Sequence, residues 1–139
     1  MNVKLSALDL IIAFPGQTAK DVIDRAAEMA RSVEQLGWTR YLIAEHHNMP
    51  TTLSSATSLI VEYVLSRTER IQVGAGGVML ANHAPLHVAE AYGTLEALYP
   101  GRVDLGIGRA PGTDPAAASM LVRNRQSLCP GRGTHSAFL

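Results

Sequence analysis

A single cysteine, Cys129, in a chain of 139 residues excludes an internal disulfide framework. No apolar run approaches the roughly 18–20 residues that a membrane span requires. The opening Met1-Asn2-Val3-Lys4-Leu5 has too short an apolar stretch, and no small-residue cleavage pattern, for a secretory signal. A cytoplasmic, membrane-free protein is the expectation. Net charge is absent too, but unevenly placed: residues 1–119 hold all 12 acids and 9 of the 12 basic residues, and Arg123, Arg125 and Arg132 follow the last acid, Asp114. Three arginines without interleaved aromatics or a helical stripe do not make a nucleic-acid surface. Charged residues are 17% and hydrophobic ones 47%, which excludes a disordered chain and leaves enough apolar material for one core.

What is there alternates. Val3–Ile12 is rich in leucine and β-branched residues and stops at Phe14-Pro15-Gly16, so it reads as a strand closed by a turn. Thr18 then opens a helix, with Asp21 at the reciprocal position of a capping box. Val22, Ala26, Met29, Ala30, Val33 and Leu36 keep a helical period, and Gly37 stands where a left-handed cap belongs. Tyr41–Ala44 is a short second strand ending on Glu45-His46-His47. A second helix, capped near Ser54 or Ser55, turns Ala56, Leu59, Ile60, Tyr63 and Val64 to one side. Ile71–Leu80 is a glycine-interrupted third strand. Pro85 suits the first turn of a third helix, with Ala89, Tyr92 and Leu95 inward and Pro100-Gly101 at its end. Val103–Gly108 is a fourth strand of period two.

Strands and helices alternating over such short connections predict an α/β fold with a parallel sheet and right-handed crossovers. Either an open sheet or a barrel wall satisfies the pattern. No G-x-G-x-x-G follows the first strand, which disfavours a dinucleotide-binding sheet. Polar residues instead gather at strand C-termini: Glu45-His46-His47, Asn82-His83 and Arg109. In a barrel, that edge carries the active site.

Several groups there can carry chemistry. A histidine of the Glu45-His46-His47 run can act as general base or proton shuttle; the alternative is a loop hydrogen bond and a glutamate packed on an arginine. His83 and His87, four apart, could chelate a metal with Glu45 or Glu90, but H-x-x-x-H alone is a weak motif and no metal site is expected. Gly74-Ala75-Gly76-Gly77 admits a flat ligand against the backbone, or marks a bulge. Arg109 can reach an anion such as a phosphate, or else pair with Asp104 or Asp114.

Five strings, in order, are more specific than any of these motifs. They are Ala44-Glu45-His46-His47-Asn48-Met49-Pro50, Val73–Leu80, Asn82-His83-Ala84-Pro85-Leu86, Gly93–Arg102 and Asp104–Asp114. Together they closely resemble the luciferase-like flavin monooxygenase family over about residues 3–118. The resemblance implies parallel (β/α) units forming the N-terminal half of a TIM-type (β/α)8 barrel. It also implies FMN, or in some branches F420, at the C-terminal edge, where the reduced flavin and O2 oxidise a small organic substrate. On that likeness His46 is the catalytic base flanked by Glu45 and His47. Ala75, Gly76 and Gly77, with Asn82, stand beside the flavin, and Arg109 approaches its phosphate. Ala81 departs from the family pattern, where a proline is expected. Family chains are about twice as long, so residues 1–118 read as a half-barrel. Residues 119–139 read as a divergent tail, either a surface segment or the product of a shifted frame. Two open sheet edges lead to the expectation of a homo-oligomer or of pairing with a second half. The rival reading is a non-catalytic half-barrel fragment that self-associates or pairs with a second half.

Overall fold

Helix α1 (Ala19–Gln35) shows how directly local chemistry writes this chain. The Thr18 hydroxyl accepts from the Asp21 N–H while the Asp21 carboxylate accepts from the Thr18 N–H, closing the capping box. Val22, Ala26, Ala27, Ala30 and Val33 are buried along one stripe, and Gly37 ends the turn at φ +77°. The small residues on this stripe let the helix lie close to the sheet.

A computed structural model describes residues 3–121. After α1 the order is strand β2 (Arg40–Ile43), α2 (Thr57–Leu65), β3 (Gln72–Met79), a 3-10 turn at Leu80–Asn82, α3 (Pro85–Leu98), β4 (Val103–Gly108) and α4 (Pro115–Leu121); β1 (Ser6–Asp9) precedes α1. The four strands form one parallel sheet in chain order β1-β2-β3-β4, the order of a barrel wall rather than of a doubly wound sheet. Registers run level: Ala7, Tyr41, Val73 and Val103 form one row, and Leu8, Leu42, Gly74 and Asp104 the next.

That alternation gives the sheet two faces. Tyr41, Ile43, Val73, Ala75 and Val78 point at the helices and are buried there with Ile60, Val61, Val64, Leu65, Val88, Tyr92 and Leu95. Each fully buried aliphatic side chain contributes about 1.5–3 kcal/mol. The opposite face carries Leu8, Leu42, the bare backbone of Gly74, Gly76 and Gly106, and the Arg40–Asp104 ion pair at 2.7 Å.

Three expectations need correction. The first strand is shorter than Val3–Ile12: the Asp9 carboxylate takes the Ile11 N–H at 2.8 Å, Ile11 turns to φ +52°, and Ile12 forms only an isolated antiparallel bridge to Thr52. Helix α2 begins at Thr57, with Ala56 as an N-cap lacking a side-chain bond, because the Thr57 hydroxyl donates to the Ser54 carbonyl and Ser54 is buried. Its inward stripe is Thr57, Ile60, Val61, Val64 and Leu65, so Ala56 and Leu59 are exposed. In α3, Val88 rather than Ala89 points inward; Met29 and Leu36 of the first helical stripe are likewise exposed. Of the tail expected over 119–139, residues 119–121 belong to α4, and the rest lies outside the described residues.

Candidate functional site

The ends of β2, β3 and β4 are tied together by polar groups. Beyond β2 the backbone N–H of His47 donates to the Gly112 carbonyl at 2.9 Å, and the Thr113 hydroxyl donates to the His47 carbonyl at 2.7 Å. The Asn48 amide donates to Asp114 at 2.9 Å, and the Asn82 amide to the Pro111 carbonyl at 2.7 Å. These bonds fasten the ends of β2 and β3 to the segment after β4.

At the centre is Glu45, 1% exposed. Its Oε1 lies 2.7 Å from Nε2 of His47 and 2.7 Å from Nε2 of His83, and its Oε2 accepts the Met79 N–H at 3.2 Å. A buried carboxylate is costly unless its lone pairs are satisfied, and here three partners do so. The two imidazoles stand 6.2 Å apart, on either side of the shared oxygen. Glu45 and His83 line a cavity of about 280 Å³ on the helix side of the sheet, with Thr57, His87, Val88 and Tyr92. Among the described residues the Tyr92 hydroxyl is buried without a hydrogen-bond partner. Burial first, and then the charge of Glu45, push its phenol above the ordinary range, so it stays protonated.

Residue parity separates His46 from this group. Glu45 and His47 meet one another, whereas the residue between them neither bonds Glu45 nor lines the cavity. Among the described residues the Nδ1 of His46 is buried with no partner. His46, Glu45 and His47, read together as one catalytic run, thus divide into a hydrogen-bonded pair and a histidine with a free buried nitrogen.

The glycine-rich strand also divides. β3 carries a bulge between Ala75 and Val78, and the Gly76–Gly77 peptide is cis. Ala75 is buried among the helices, so only its backbone faces the other side. A Cβ on Gly77 would meet the Gly106 backbone at 2.7 Å, so that glycine serves strand contact. A Cβ on Gly76 would instead meet the flexible Leu42 and Leu8 side chains at 3.0 Å. Gly76 borders a second cavity, about 260 Å³, on the opposite face of the sheet with Arg40, Leu42 and Asp104. Arg109, just past β4, is exposed; Asp104 is engaged by Arg40, and Asp114 accepts from Asn48 and from the first N–H groups of α4.

His83 was expected at the polar strand-end edge, and as a weak metal ligand beside His87, but not among the catalytic or cofactor-binding residues. The signal was its position after the third strand, which neighbours the second. Its partner is Glu45, while His87 and Glu90 are exposed.

A parallel sheet in chain order, with its polar groups joined at the strand C-termini, defines this as a β/α protein of the barrel-wall type. Comparison with known proteins makes the assignment specific. The model for luciferase-like monooxygenases matches residues 3–119, and the chain belongs to that family. It is 45% identical over 123 residues to a luciferase-like monooxygenase of Escherichia coli K12, covering 88% of this chain and 37% of that one. The crystal structure of apo-MsnO8 superposes with a TM-score of 0.82 at 38% identity, over 86% of this chain and 36% of that one. The oxygenating constituent of 3,6-diketocamphane monooxygenase of Pseudomonas putida, solved with FMN, gives a TM-score of 0.76 at 23% identity, over 92% of this chain and 35% of that one. The chain thus spans little more than a third of the length of the proteins it matches.

Proposed function

We propose that this chain supplies one half of a flavin-dependent monooxygenase barrel, whose reaction uses reduced FMN and O2 to oxidise a small organic substrate. The observation that carries the reading is the convergence of the β2, β3 and β4 ends around Glu45, His47 and His83, beside a sheet face free of side chains at Gly74, Gly76 and Gly106. When bound, the flavin supplies the electrons that activate oxygen. This chain's residues fit the wall behind its ring: bare backbone at Gly76 admits a planar group that any larger residue would displace. His46, with its unpartnered buried nitrogen, is the proposed proton carrier, and the Glu45–His47 pair fixes the loop that holds it. Arg109 is the one exposed cation proposed for the phosphate end.

A second reading, self-association without catalysis, has its own observation. Among the described residues β1 and β4 each pair on one side only, and Leu8, Leu105 and Ile107 are 60%, 40% and 58% exposed. Pairing with a second copy or a second half-barrel would cover them. Both readings are tested by titrating FMN, and in parallel F420, into the purified chain while sedimentation velocity reports its size. Weak flavin quenching that Gly76→Val abolishes, in an oligomeric species, is the expected result. A monomer that binds FMN tightly, or binding indifferent to Gly76→Val, would contradict it.

A further inference from the structure

The Glu45–His47–His83 cluster holds more than a hydrogen-bond network requires. Two imidazole nitrogens and one carboxylate oxygen all lie within 4.8 Å of one another, contributed by the ends of two adjacent strands. We propose that these three side chains form a binding site for a divalent transition-metal ion of the Zn²⁺ class, on the helix side of the sheet and separate from the face proposed for the flavin.

Donor chemistry fits first. Two neutral imidazoles and a carboxylate make a three-ligand set that leaves a fourth position open. In a tetrahedral site with bonds of about 2.0–2.1 Å, donor atoms sit roughly 3.3 Å apart. The two 2.7 Å N···O separations would open by about half an ångström, and the two imidazole nitrogens, within 4.8 Å of one another, would settle at the same spacing through side-chain torsions. The ion would take the place of the protons the histidines now share with Oε1.

Preorganisation fits next. The far oxygen of Glu45 is held by the Met79 N–H, and His47 is clamped through both its backbone N–H and its carbonyl. Outer contacts of this kind orient metal ligands and raise affinity. Access and the open position complete the case. The His83 side chain is 33% exposed, so an ion can enter from solvent. The cavity that Glu45 and His83 line also contains Tyr92, whose buried hydroxyl has no partner and could hold a metal-bound water. His87 lines the same cavity but does not belong to the cluster, so the sequence-adjacent H-x-x-x-H pair is not the proposed site.

The test is isothermal titration of Zn²⁺ into the chelator-treated full chain, with Co²⁺ absorption as the coordination readout. The expected result is one ion per chain with Kd of about 1 µM or tighter, and an intense visible Co²⁺ band of tetrahedral type. His83→Ala and His47→Ala should each weaken binding by at least about 100-fold with an unchanged circular dichroism spectrum, and His87→Ala should leave it intact. His83→Gln serves in place of His83→Ala if the latter unfolds. Binding weaker than about 1 mM would leave the cluster a hydrogen-bonded trio and overturn the proposal. So would binding that survives both variants, which would place the ion on other donors such as Cys129 or His135, or binding lost in His87→Ala.

Discussion

Replacing Gly74 by alanine puts a methyl group where β4 already is. An ideal Cβ at Gly74 falls 1.9 Å from the Asp104 carbonyl oxygen and 2.6 Å from its carbonyl carbon. The obstacle is backbone, so no rotamer change relieves it, and β4 must retreat by roughly an ångström at the row where Gly74 pairs with Asp104. Overpacking of this kind costs about 1–3 kcal/mol, and each ladder hydrogen bond stretched out of range adds about 1 kcal/mol. The expected loss is about 3–4 kcal/mol, a large share of the stability of about 5–15 kcal/mol typical of a domain. Gly93 provides the opposite case inside the same molecule. It lies within α3, is exposed, and an added Cβ meets nothing within 4 Å. There alanine should stabilise by about 0.5–1 kcal/mol through helix propensity alone. Urea unfolding followed by circular dichroism, at equal protein concentration and with unchanged m-value, measures both. A Gly74→Ala midpoint within error of the parent, or a Gly93→Ala loss comparable to it, would refute the reasoning.

Thr18→Ala removes the hydroxyl half of the α1 capping box, leaving the backbone N–H to Asp21, and should cost about 1 kcal/mol in the same assay, with Thr18→Ser restoring most of it. Glu34 accepts the backbone N–H groups of Glu69, Arg70 and Ile71, joining α1 to the segment that enters β3. Burial raises its pKa, but those three donors outweigh it and the net shift is downward. A depressed carboxylate stabilises the fold above its unfolded value of about 4.3, and that stability is lost as pH falls through the lower folded value. The urea midpoint should therefore drop on acidification below about pH 4.5, and Glu34→Gln should flatten that part of the profile.

Periodicity and punctuation made the four β/α units readable. Thr18 with Asp21, Gly37 at φ +77° and Pro85 at the start of α3 all act locally, so their consequences need no tertiary information. What stayed hidden depends on contacts distant in sequence. The α2 start was misplaced because Ser54, a good cap by type, is buried with its carbonyl taken by Thr57. The inward stripe of that helix followed from how it settles on β3, which a nine-residue apolar segment does not specify. At the site, Glu45 and His47 were evident from their position at a strand end. That Glu45 would also hold His83, 38 residues away, required knowing that β2 and β3 are neighbours in parallel register. Without that, the i, i+4 spacing to His87 was the more visible and the less informative relation.

One buried carboxylate joins His47 and His83 and leaves His46 apart. Long-range proton–nitrogen correlation spectra of the imidazole rings, recorded for the parent and for Glu45→Gln, test it most directly. The ring resonances of His47 and His83 should move together on this substitution, while those of His46 and His87 stay in place. Movement of His46 with either partner, or no movement of His83, would contradict the geometry on which the account rests.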